Sequence, residues 1–403
     1  MTQPKLRFKR EDGTEFPEWG KDKWLNLGQF VSSGTLSKAD LSEEGTPCIL
    51  YGELYTKYGE IAHTIYSKTN SSSHIFSKKD DVILPKSGET PEDISTATCI
   101  PYDDVSLGGD LIVFRHNEKV IGTFLSYLIS NRAKNAIASI AQGKSVVHIS
   151  EKGLANIELS FPCLEEQQKI ADYLSTVDDV IAQSEAEVQN LEQQKKAAMQ
   201  KIFSQEVRFK SEDGTEFPEW EDCVLNDYCQ ELKETIDPKK RPDDSFLEYS
   251  MPAFDLDKKP SKVVGNNMNS SRKVINTCCV LINKLNVRKK RVWKIINPED
   301  NSVCSAEFIP VTSDTISLDY LEHLALSDRF TARLLDCSTG TSNSQKRVTP
   351  DIIMDMPVSI PCLEEQQKIA DFLSAYDDAI SCAKRELDKW KELKKGLLQQ
   401  MFV

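Results

Sequence analysis

The sequence predicts an α+β protein built as a tandem repeat, in which two mixed α/β domains are separated by two long helices. The first observation is a duplicated stretch, since Ser160–Ile181 and Ser359–Ile380 are identical at 17 of 22 positions. A second pair, Arg7–Trp19 and Arg208–Trp220, matches at 12 of 13 positions. Internal repeats take precedence over other sequence signals because they fix the architecture of the whole chain. The 403 residues therefore form two units of about 200 residues each.

Each copy of the first repeat leads into one predicted long helix. In residues 162–205 apolar positions alternate by four and three residues, at Ile170, Leu174, Val177, Ile181, Ser184, Val188, Leu191, Lys195, Ala198 and Ile202. Residues 361–403 show the same spacing at the same offset. Two such helices, each about 60 Å long, bury these seams best as an antiparallel coiled coil with pseudo-twofold symmetry. The alternative is that each helix packs only on its own globular domain.

Lys195 and Lys394 occupy equivalent polar positions in the two seams. Polar residues at such positions set the register of paired helices, or they mark ends where the helices part. Trp19 and Trp220 end the shorter repeat and carry a similar choice. Each tryptophan either docks a partner or closes the domain that follows it.

The repeats predict the domain boundaries. Residues 1–161 hold an N-terminal segment and a first variable domain, residues 162–205 the first long helix, residues 206–360 a second variable domain, and residues 361–403 the second long helix. Patterns of apolar and turn-forming residues predict the elements of the variable domains. The predicted strands are Pro47–Leu50, Val82–Leu84, Asp110–Phe114, Val280–Ile282 and Val292–Ile296, and the predicted helices are Gly122–Ser139 and Leu318–Leu335. The two variable domains do not align convincingly, which favours two different recognition tasks.

The composition is that of a soluble globular protein, with 39% hydrophobic and 28% charged residues. No run approaches the roughly 18 apolar residues that span a bilayer, and the charged N-terminus does not resemble a signal peptide. We therefore expect a cytoplasmic chain without a membrane partner. The eleven cysteines are irregularly spaced and the five histidines are scattered. This pattern favours reduced thiols over a disulfide framework or a metal site.

Motifs of catalytic and nucleotide-binding sites are absent from the sequence. There is no G-x-x-x-x-G-K-[ST] loop, no G-x-G-x-x-G, no G-x-S-x-G and no H-E-x-x-H. Methyltransferases that act on amino groups hold the flipped base with an Asn/Asp-Pro-Pro-aromatic loop, but here Asp237-Pro238 is followed by Lys239. We therefore expect a chain that is not an enzyme by itself and that binds no cofactor.

The distribution of charge favours double-stranded DNA as a partner, although the net charge is −13. Residues 258–294 carry eleven Lys or Arg and no Asp or Glu. Arg suits guanine and Asn suits adenine in the major groove, while Lys holds phosphates. The candidate contacts in and near this segment are Arg272, Lys273, Lys284, Asn286, Arg288, Lys289, Lys290 and Arg291. The alternative is a solvated basic loop.

Three further polar segments are weaker DNA-binding candidates. Lys86 and Ser87 lie in Ile83–Asp93, which is the equivalent place in the pattern of the first variable domain. One polar loop precedes each long helix. These loops contribute Lys144, Ser145, Thr341, Ser342, Lys346 and Arg347 as candidates. Hydroxyls and Lys suit phosphate oxygens, and Gly allows close backbone approach, but a plain surface turn explains each residue equally well.

These motifs together resemble the DNA-specificity subunit of type I restriction-modification systems. The resemblance is carried by P-C-L-E-E-Q-Q-K-I-A-D-[YF]-L-S at Pro162 and Pro361, by the G-[KT]-S loops, and by L-I-N-K-L-N at Leu281–Asn286. It covers essentially the whole chain. It implies two target-recognition domains, each reading one half of a split, asymmetric DNA site, held apart by the helices.

The resemblance also implies partners. Two modification subunits would dock on the helices and bring S-adenosylmethionine-dependent adenine methylation, and restriction subunits would add ATP-driven translocation and cleavage with Mg²⁺. The docking candidates at the helix starts are Glu165, Gln168, Glu364 and Gln367. A competing hypothesis is a protein adaptor whose helices are its only function. A third is a specificity chain that changes its target when domains recombine at the repeats.

Overall fold

The computed structural model of the protein describes residues 3–71, 75–340 and 345–402. Two of the predicted DNA-contacting residues, Thr341 and Ser342, lie outside the described residues. The structure contains both helices and sheets, which confirms the α+β class.

The chain divides into two compact units. The first consists of Met1–Glu185 and Arg385–Val403, and the second of Ala186–Lys384. Both divisions fall inside a long helix. Each unit therefore contains the beginning of one long helix and the end of the other.

The described residues of the first unit form four small sheets. Its strands are β1 (Gly20–Lys23), β2 (Gly28–Val31), β3 (Leu41–Ser42), β4 (Thr46–Ile49), β5 (Ser67–Thr69), β6 (Asp81–Pro85), β7 (Ser87–Gly88), β8 (Thr98–Ile100), β9 (Ser106–Leu107), β10 (Leu111–His116), β11 (Val147–His148) and β12 (Glu158–Phe161). The strand orders are β2-β10-β6-β8, β3-β5-β4-β9, β1-β12 and β11-β7. The predicted strands at positions 47, 82 and 110 are confirmed as β4, β6 and β10. We call residues 20–161 the first variable domain.

Helices cover one face of the central sheet in the first unit. They are α1 (Gly122–Asn131), α2 (Lys134–Ile140), α3 (Glu151–Ala155) and α4 (Leu164–Phe203), of which α4 continues into the second unit. Phe124, Leu125 and Leu128 of α1 are buried in one core with Val82 and Phe114 of the sheet. The core joins sheet and helices into one domain, because the apolar face of each element has no other cover.

The second unit has a similar arrangement, with three sheets among its described residues. Its strands are β13 (Glu221–Val224), β14 (Gln230–Glu231), β15 (Thr235–Ile236), β16 (Ser245–Tyr249), β17 (Ser261–Val264), β18 (Arg272–Val274), β19 (Cys279–Asn283), β20 (Val292–Ile295), β21 (Ser302–Cys304), β22 (Phe308–Thr312) and β23 (Pro357–Ile360). The strand orders are β14-β22-β19-β20, β15-β18-β21-β16-β17 and β13-β23. The helices are α5 (Met251–Asp257), α6 (Leu318–Leu326), α7 (Asp328–Asp336), α8 (Pro350–Met354) and α9 (Leu363–Phe402). We call residues 221–360 the second variable domain.

The prediction of one continuous helix in each variable domain is wrong. Residues 122–139 form α1 and α2, and residues 318–335 form α6 and α7. Ser327 ends α6 with extended backbone and caps α7, because its side chain accepts a hydrogen bond from the Phe330 amide. At the end of α1, the Asn131 side chain donates to the Tyr127 carbonyl at 2.8 Å. Such local side-chain bonds compete with helix continuation, whereas apolar periodicity does not register them.

Each copy of the shorter repeat forms a hairpin that is bound to the start of one long helix. In the first unit the Arg10 amide donates to the Thr14 carbonyl at 2.9 Å, and the Gly13 amide donates to the Arg10 carbonyl at 3.0 Å, which closes a tight turn at Asp12-Gly13. Arg7 makes two bonds to Glu166 of α4, with Nε at 3.0 Å from Oε1 and Nη2 at 2.6 Å from Oε2. The Glu166 side chain is 0% exposed. The carboxylate is therefore buried with this arginine as its counter-ion.

In the second unit the hairpin is attached to α9 by the same residue types. Arg208 Nη2 lies 2.8 Å from Glu365 Oε2 of α9, and that side chain is also 0% exposed. Trp220 Nε1 donates to the same carboxylate at 3.0 Å. Repeated sequence thus yields repeated buried ion pairs, and neither pair is visible from charge patterning alone.

The two tryptophans are core residues, which confirms the structural alternative over a docking contact. Trp19 is 7% exposed and meets Phe124 and Phe402 edge-on, with ring centroids 6.1 Å and 6.3 Å away. Trp220 is 8% exposed and meets Tyr320 edge-on at 6.5 Å. Edge-to-face pairs of this kind add stability beyond the buried area.

The two long helices, α4 and α9, are each forty residues long. In the first unit the segments run in opposite directions, because Glu185 pairs with Lys391 at 2.7 Å and Asp178 pairs with Lys394 at 2.7 Å. In the second unit Glu192 pairs with Lys384 at 2.6 Å, while Lys195 pairs with Asp377 at 2.5 Å. No helix in the described part of the chain has the length of apolar sequence that a bilayer requires.

His323 of α6 is a buried titratable group facing α9. Its Nε2 lies 3.3 Å from Ser374 Oγ, and its Nδ1 is buried without a hydrogen-bond partner among the described residues. Burial, reinforced by the charge of Lys195, lowers the pKa of His323 to about 4. The folded chain therefore keeps this imidazole neutral at pH values where the unfolded chain protonates it.

We expect this histidine to make folding stability fall with acidification. The unfolded imidazole titrates near pH 6.5, so the stabilising contribution is complete above that pH and is lost as the pH falls toward 4. The slope is at most about 1.4 kcal/mol per pH unit. Urea unfolding of His323→Gln should lack this slope, whereas the exposed His148→Gln should keep it. An unchanged slope in His323→Gln would contradict the assignment.

Candidate nucleic-acid interface

The basic segment of the second variable domain forms the predicted hairpin. Strands β19 and β20 pair antiparallel, with Ile282 opposite Val292, which confirms the strand-turn-strand prediction. Asn283 organises the loop, because its side chain donates to the Leu285 carbonyl at 2.9 Å and accepts from the Arg291 amide at 3.2 Å. Asn283 is 3% exposed. The loop is therefore held in one shape by a buried amide.

A second predicted segment lies directly beside this loop. The Asn286 amide donates to the Lys346 carbonyl at 2.8 Å, and the Val348 amide donates to the Lys284 carbonyl at 3.0 Å. Leu285 and Arg347 form an isolated bridge. Two segments that the sequence offered as separate candidates thus form one surface, which we call the second-domain loop surface (residues 284–291 and 345–348).

The first variable domain contains an equivalent surface. The Ile149 amide donates to the Lys86 carbonyl at 3.1 Å, as Val348 does to Lys284. The Lys86 amide in turn donates to the Asp110 carbonyl at 2.8 Å. The Ser87 hydroxyl lies 2.8 Å from His148 Nδ1 across the β7-β11 pair. We call residues 86–88 and 142–149 the first-domain loop surface.

Two further features establish this equivalence. The Lys284 amide donates to the Glu307 carbonyl at 2.9 Å, as Lys86 does to Asp110. Gly143 and Gly340 have φ values of +131° and +132°, and a Cβ on either would lie within 2.6 Å of a backbone carbonyl oxygen. Only glycine fits such a position. The shared framework consists of backbone bonds, so it leaves almost no residue identity for an alignment to detect.

Exposed polar side chains cover both surfaces. Arg288 and Lys289 are exposed at the tip of the second-domain loop surface, and Lys284 and Lys346 are half-buried beside them. On the first-domain loop surface Lys86, Lys144 and Ser145 are exposed, whereas Ser87 is buried. Exposed cations and hydroxyls on rigid loops are the groups that contact phosphates and base edges.

Folding neutralises much of the basic segment, which the sequence count did not anticipate. Arg291 makes a bidentate pair with Asp255, with distances of 2.7 Å and 2.6 Å, and the arginine lowers the pKa of that carboxyl. The acids come from other parts of the second unit. The further pairs are Arg272 with Glu248, Lys273 with Glu231, Lys290 with Asp328, Lys294 with Asp319 and Arg347 with Glu307. At least five of the eleven cations that appear unopposed in the sequence are therefore ion-paired in the folded chain.

The remaining candidate, Asn286, shapes the loop through its backbone. Its φ is +54°, and its side-chain oxygen is buried with no hydrogen-bond partner among the described residues. Asn tolerates this left-handed conformation better than most residues. The structure thus gives Asn286 a role in the turn that its side-chain chemistry did not predict.

The docking candidates lie on the first turns of the two long helices. Gln168 donates to Asp172 at 2.7 Å, and Gln367 donates to Asp371 at 2.8 Å. Glu165 and Glu364 are also exposed. Apolar side chains that the sequence analysis had not singled out lie nearby along the same helices. They are Leu164, Tyr173, Leu363 and Phe372, which are 46%, 41%, 60% and 40% exposed.

No group of three or more His, Cys, Asp or Glu side chains suited to a metal ion occurs in the described ranges. Burial raises the pKa of the Cys223 thiol to about 11 and that of the Cys304 thiol to about 12. Reactive thiols have lowered rather than raised pKa values. These two cysteines are therefore inert packing residues.

Comparison with known proteins places the chain in a family. Residues 19–193 and 295–391 match the type I restriction modification DNA specificity domain. The chain is 22% identical over 422 residues to the type I restriction enzyme MjaVIII specificity subunit of Methanocaldococcus jannaschii, with 98% of this chain and 95% of that protein covered.

Solved structures share the fold. The type I restriction-modification system S subunit from M. genitalium matches with a TM-score of 0.60 at 15% identity, over 100% of this chain and 99% of that one. A structure concerning complex assembly and conformational transition of the type I R-M system matches with a TM-score of 0.54 at 15% identity, over 96% and 98%. The family match covers more than half of the sequence and confirms the resemblance carried by the repeats. The chain belongs to the type I restriction modification DNA specificity domain family.

Proposed function

We propose that this chain is the non-catalytic DNA-reading subunit of a type I restriction-modification complex. Each variable domain recognises one half of a split, asymmetric site through its loop surface. The observation that carries the proposal is the pair of equivalent loop surfaces, built on the same backbone bonds but presenting different side chains. Equivalent supports with different exposed groups suit two readers of two different half-sites.

The long helices act as the spacer between the readers in this proposal. They pair as an antiparallel coiled coil with pseudo-twofold symmetry, in which residues 162–205 and 361–403 separate target-recognition domains at 1–161 and 206–360. Opposite directions of the paired segments within each unit support this arrangement. Readers on a rigid spacer favour half-sites separated by about one helical turn of DNA, about 34 Å, or somewhat more.

The duplicated helix starts dock two copies of one modification subunit. Each start presents the same exposed Gln, Glu and Leu, and an exposed aromatic at position 173 or 372. Identical surfaces suit identical partners. The partners supply the chemistry, with S-adenosylmethionine on the modification subunits, and ATP and Mg²⁺ on the restriction subunits.

Reversing the charge at the loop tip tests DNA recognition. Arg288→Glu with Lys289→Glu is preferred over changes at Lys290 or Arg291, because those two residues hold ion pairs of the fold. We expect affinity for a mixed-sequence duplex to fall by about 10- to 100-fold, and the slope of log K against log salt to decrease by about 2. Fluorescence anisotropy of labelled duplex at several salt concentrations measures both quantities.

A control with the same change in net charge uses Lys389→Glu with Lys395→Glu, two exposed lysines of α9. We expect this control to retain DNA affinity within a few-fold, because long-range charge is screened at physiological salt. The adaptor hypothesis instead predicts no DNA affinity in the parent chain, or equal affinity in both double variants. Either result would reject the DNA-reading proposal.

A further inference from the structure

Lys394 joins three elements in the first unit. Its Nζ lies 2.7 Å from Asp178 of α4 and 2.7 Å from Glu60 of the first variable domain. The lysine side chain is 18% exposed and each carboxylate 14%. The charges are thus mostly withdrawn from water, where an ion pair is less screened than at the surface. One cation therefore connects both long helices to the sheet-bearing domain.

Tyr127 adds a second contact from the same domain. Its hydroxyl donates to Asp178 at 2.5 Å, and its ring lies 5.7 Å from Lys394 Nζ. Tyr127 is 0% exposed. The first variable domain thus contributes the Glu60 carboxylate to Lys394 and the Tyr127 hydroxyl to Asp178.

The backbone of Glu60 is attached to the sheet by hydrogen bonds. The Cys99 amide donates to the Glu60 carbonyl at 2.8 Å, and the Ala62 amide donates to the Cys99 carbonyl at 3.0 Å. These bonds attach residues 60–62 to β8, next to the buried centre of the domain. The backbone of Glu60 therefore moves only with the domain, and its carboxylate reaches Lys394 from that fixed backbone position.

At the equivalent place, the described residues of the second unit are paired differently. Lys195 occupies the position of Lys394 and pairs with Asp377, which occupies the position of Asp178. His323 stands in place of Tyr127 and contacts Ser374. Among the described residues, the ion pairs of Lys195 include no carboxylate from that unit's sheets. The comparison makes the Glu60 connection a feature of the first unit.

We infer that Glu60, through Lys394, holds the first variable domain at a fixed angle on the helix pair and thereby determines which half-site spacing the protein accepts. Glu60 is a positioning residue, since it lies outside the loop surface and acts through Lys394. The inference rests on the proposed function. It requires that Glu60 take no part in recognising the base sequence of either half-site.

The test uses the complete complex of the chain with its modification subunits. The half-sites are first located from methylated adenines in DNA of the expressing host, and duplexes are then made with the gap shortened or lengthened by single base pairs. Glu60→Gln removes the charge, and Glu60→Ala removes the whole contact, while Lys394 keeps Asp178. Lys394→Met is not used, because it strands two carboxylates and tests folding instead.

We expect the parent complex to prefer one spacing, and both Glu60 variants to bind the neighbouring spacings better relative to it. A reduction of about fivefold in that preference corresponds to loss of one partly buried ion pair. Half-site sequence preference should not change. The matched control, Lys195→Met in the second unit, should retain the parent preference.

The outcomes distinguish failure of the inference about Glu60 from failure of the proposed function. Unchanged spacing preference in Glu60→Ala, with intact binding at the parent spacing, would overturn the inference and leave the proposed function standing. An equal loss of spacing preference in Lys195→Met would also overturn it. Loss of an ion pair that does not involve Glu60 would then have the same effect. A parent complex without bipartite DNA binding would overturn the proposed function itself.

Discussion

Arg7→Met is expected to lower the free energy of unfolding by about 3 to 5 kcal/mol, because it leaves the Glu166 carboxylate buried without its counter-ion. The arginine also bonds to the carbonyls of Phe16 and Pro17, so the hairpin loses its attachment to α4 together with the charge pair. Urea unfolding followed by circular dichroism measures the loss. Arg208→Met should cost a similar amount, because Glu365 is equally buried.

A neighbouring ion pair supplies the control. Arg10 lies 3.8 Å from Glu165, with the two side chains 40% and 57% exposed. Arg10→Met should change stability by about 0.5 kcal/mol or less, since exposed pairs contribute little. Equal effects of Arg7→Met and Arg10→Met would show that burial of Glu166 does not govern the energy of this contact.

Gly28→Ala should cost about 3 kcal/mol through overpacking of the first central sheet. A Cβ at Gly28 would lie 2.1 Å from the Arg115 carbonyl oxygen and 2.8 Å from the Phe114 ring. Strands β2 and β10 are paired at this point, so neither backbone can withdraw without breaking the ladder. Thermal and urea unfolding of the variant measure the effect.

The second unit indicates how the cost is relieved. Cys229 stands where Gly28 does, and Val311 stands where Phe114 does, both buried in one core. Gly28→Ala combined with Phe114→Val should therefore recover part of the lost stability. The control Gly20→Ala has no atom within 4 Å of the new Cβ and should stay within about 0.5 kcal/mol. A full-sized loss in that control would show that the close contacts around Gly28 do not account for the cost.

The repeats and periodic patterns predicted the larger features of the fold. The four-three spacing predicted helices close to Leu164–Phe203 and Leu363–Phe402. The compact units are not the two consecutive stretches of the repeat, because each unit includes the end of the other long helix. The hairpin around residues 284–291 was also predictable, because β-branched runs flank a polar turn. These signals are local or periodic, so a single sequence carries them.

The candidate site was predictable in its segments but not in its charges. Arg291 and Lys290 appeared free because their acidic partners, Asp255 and Asp328, are distant in sequence. The connection of Glu60 to Lys394 spans more than three hundred residues and follows no motif. The equivalent places of the loop segments were predictable from the pattern. The bonds that join the segments were not, since backbone hydrogen bonds impose no residue type.

On the proposed function, that backbone framework bears on how such a protein acquires new targets. Bonds such as Ile149 to Lys86 and Val348 to Lys284 join main-chain atoms only, so they persist whatever side chains stand at the exposed positions. Substitutions at Lys86, Lys144 or Arg288 alter what each surface offers without altering how it is constructed. The variable domains are thus tolerant supports for point-by-point diversification, in which recognition can drift while folding stays constant.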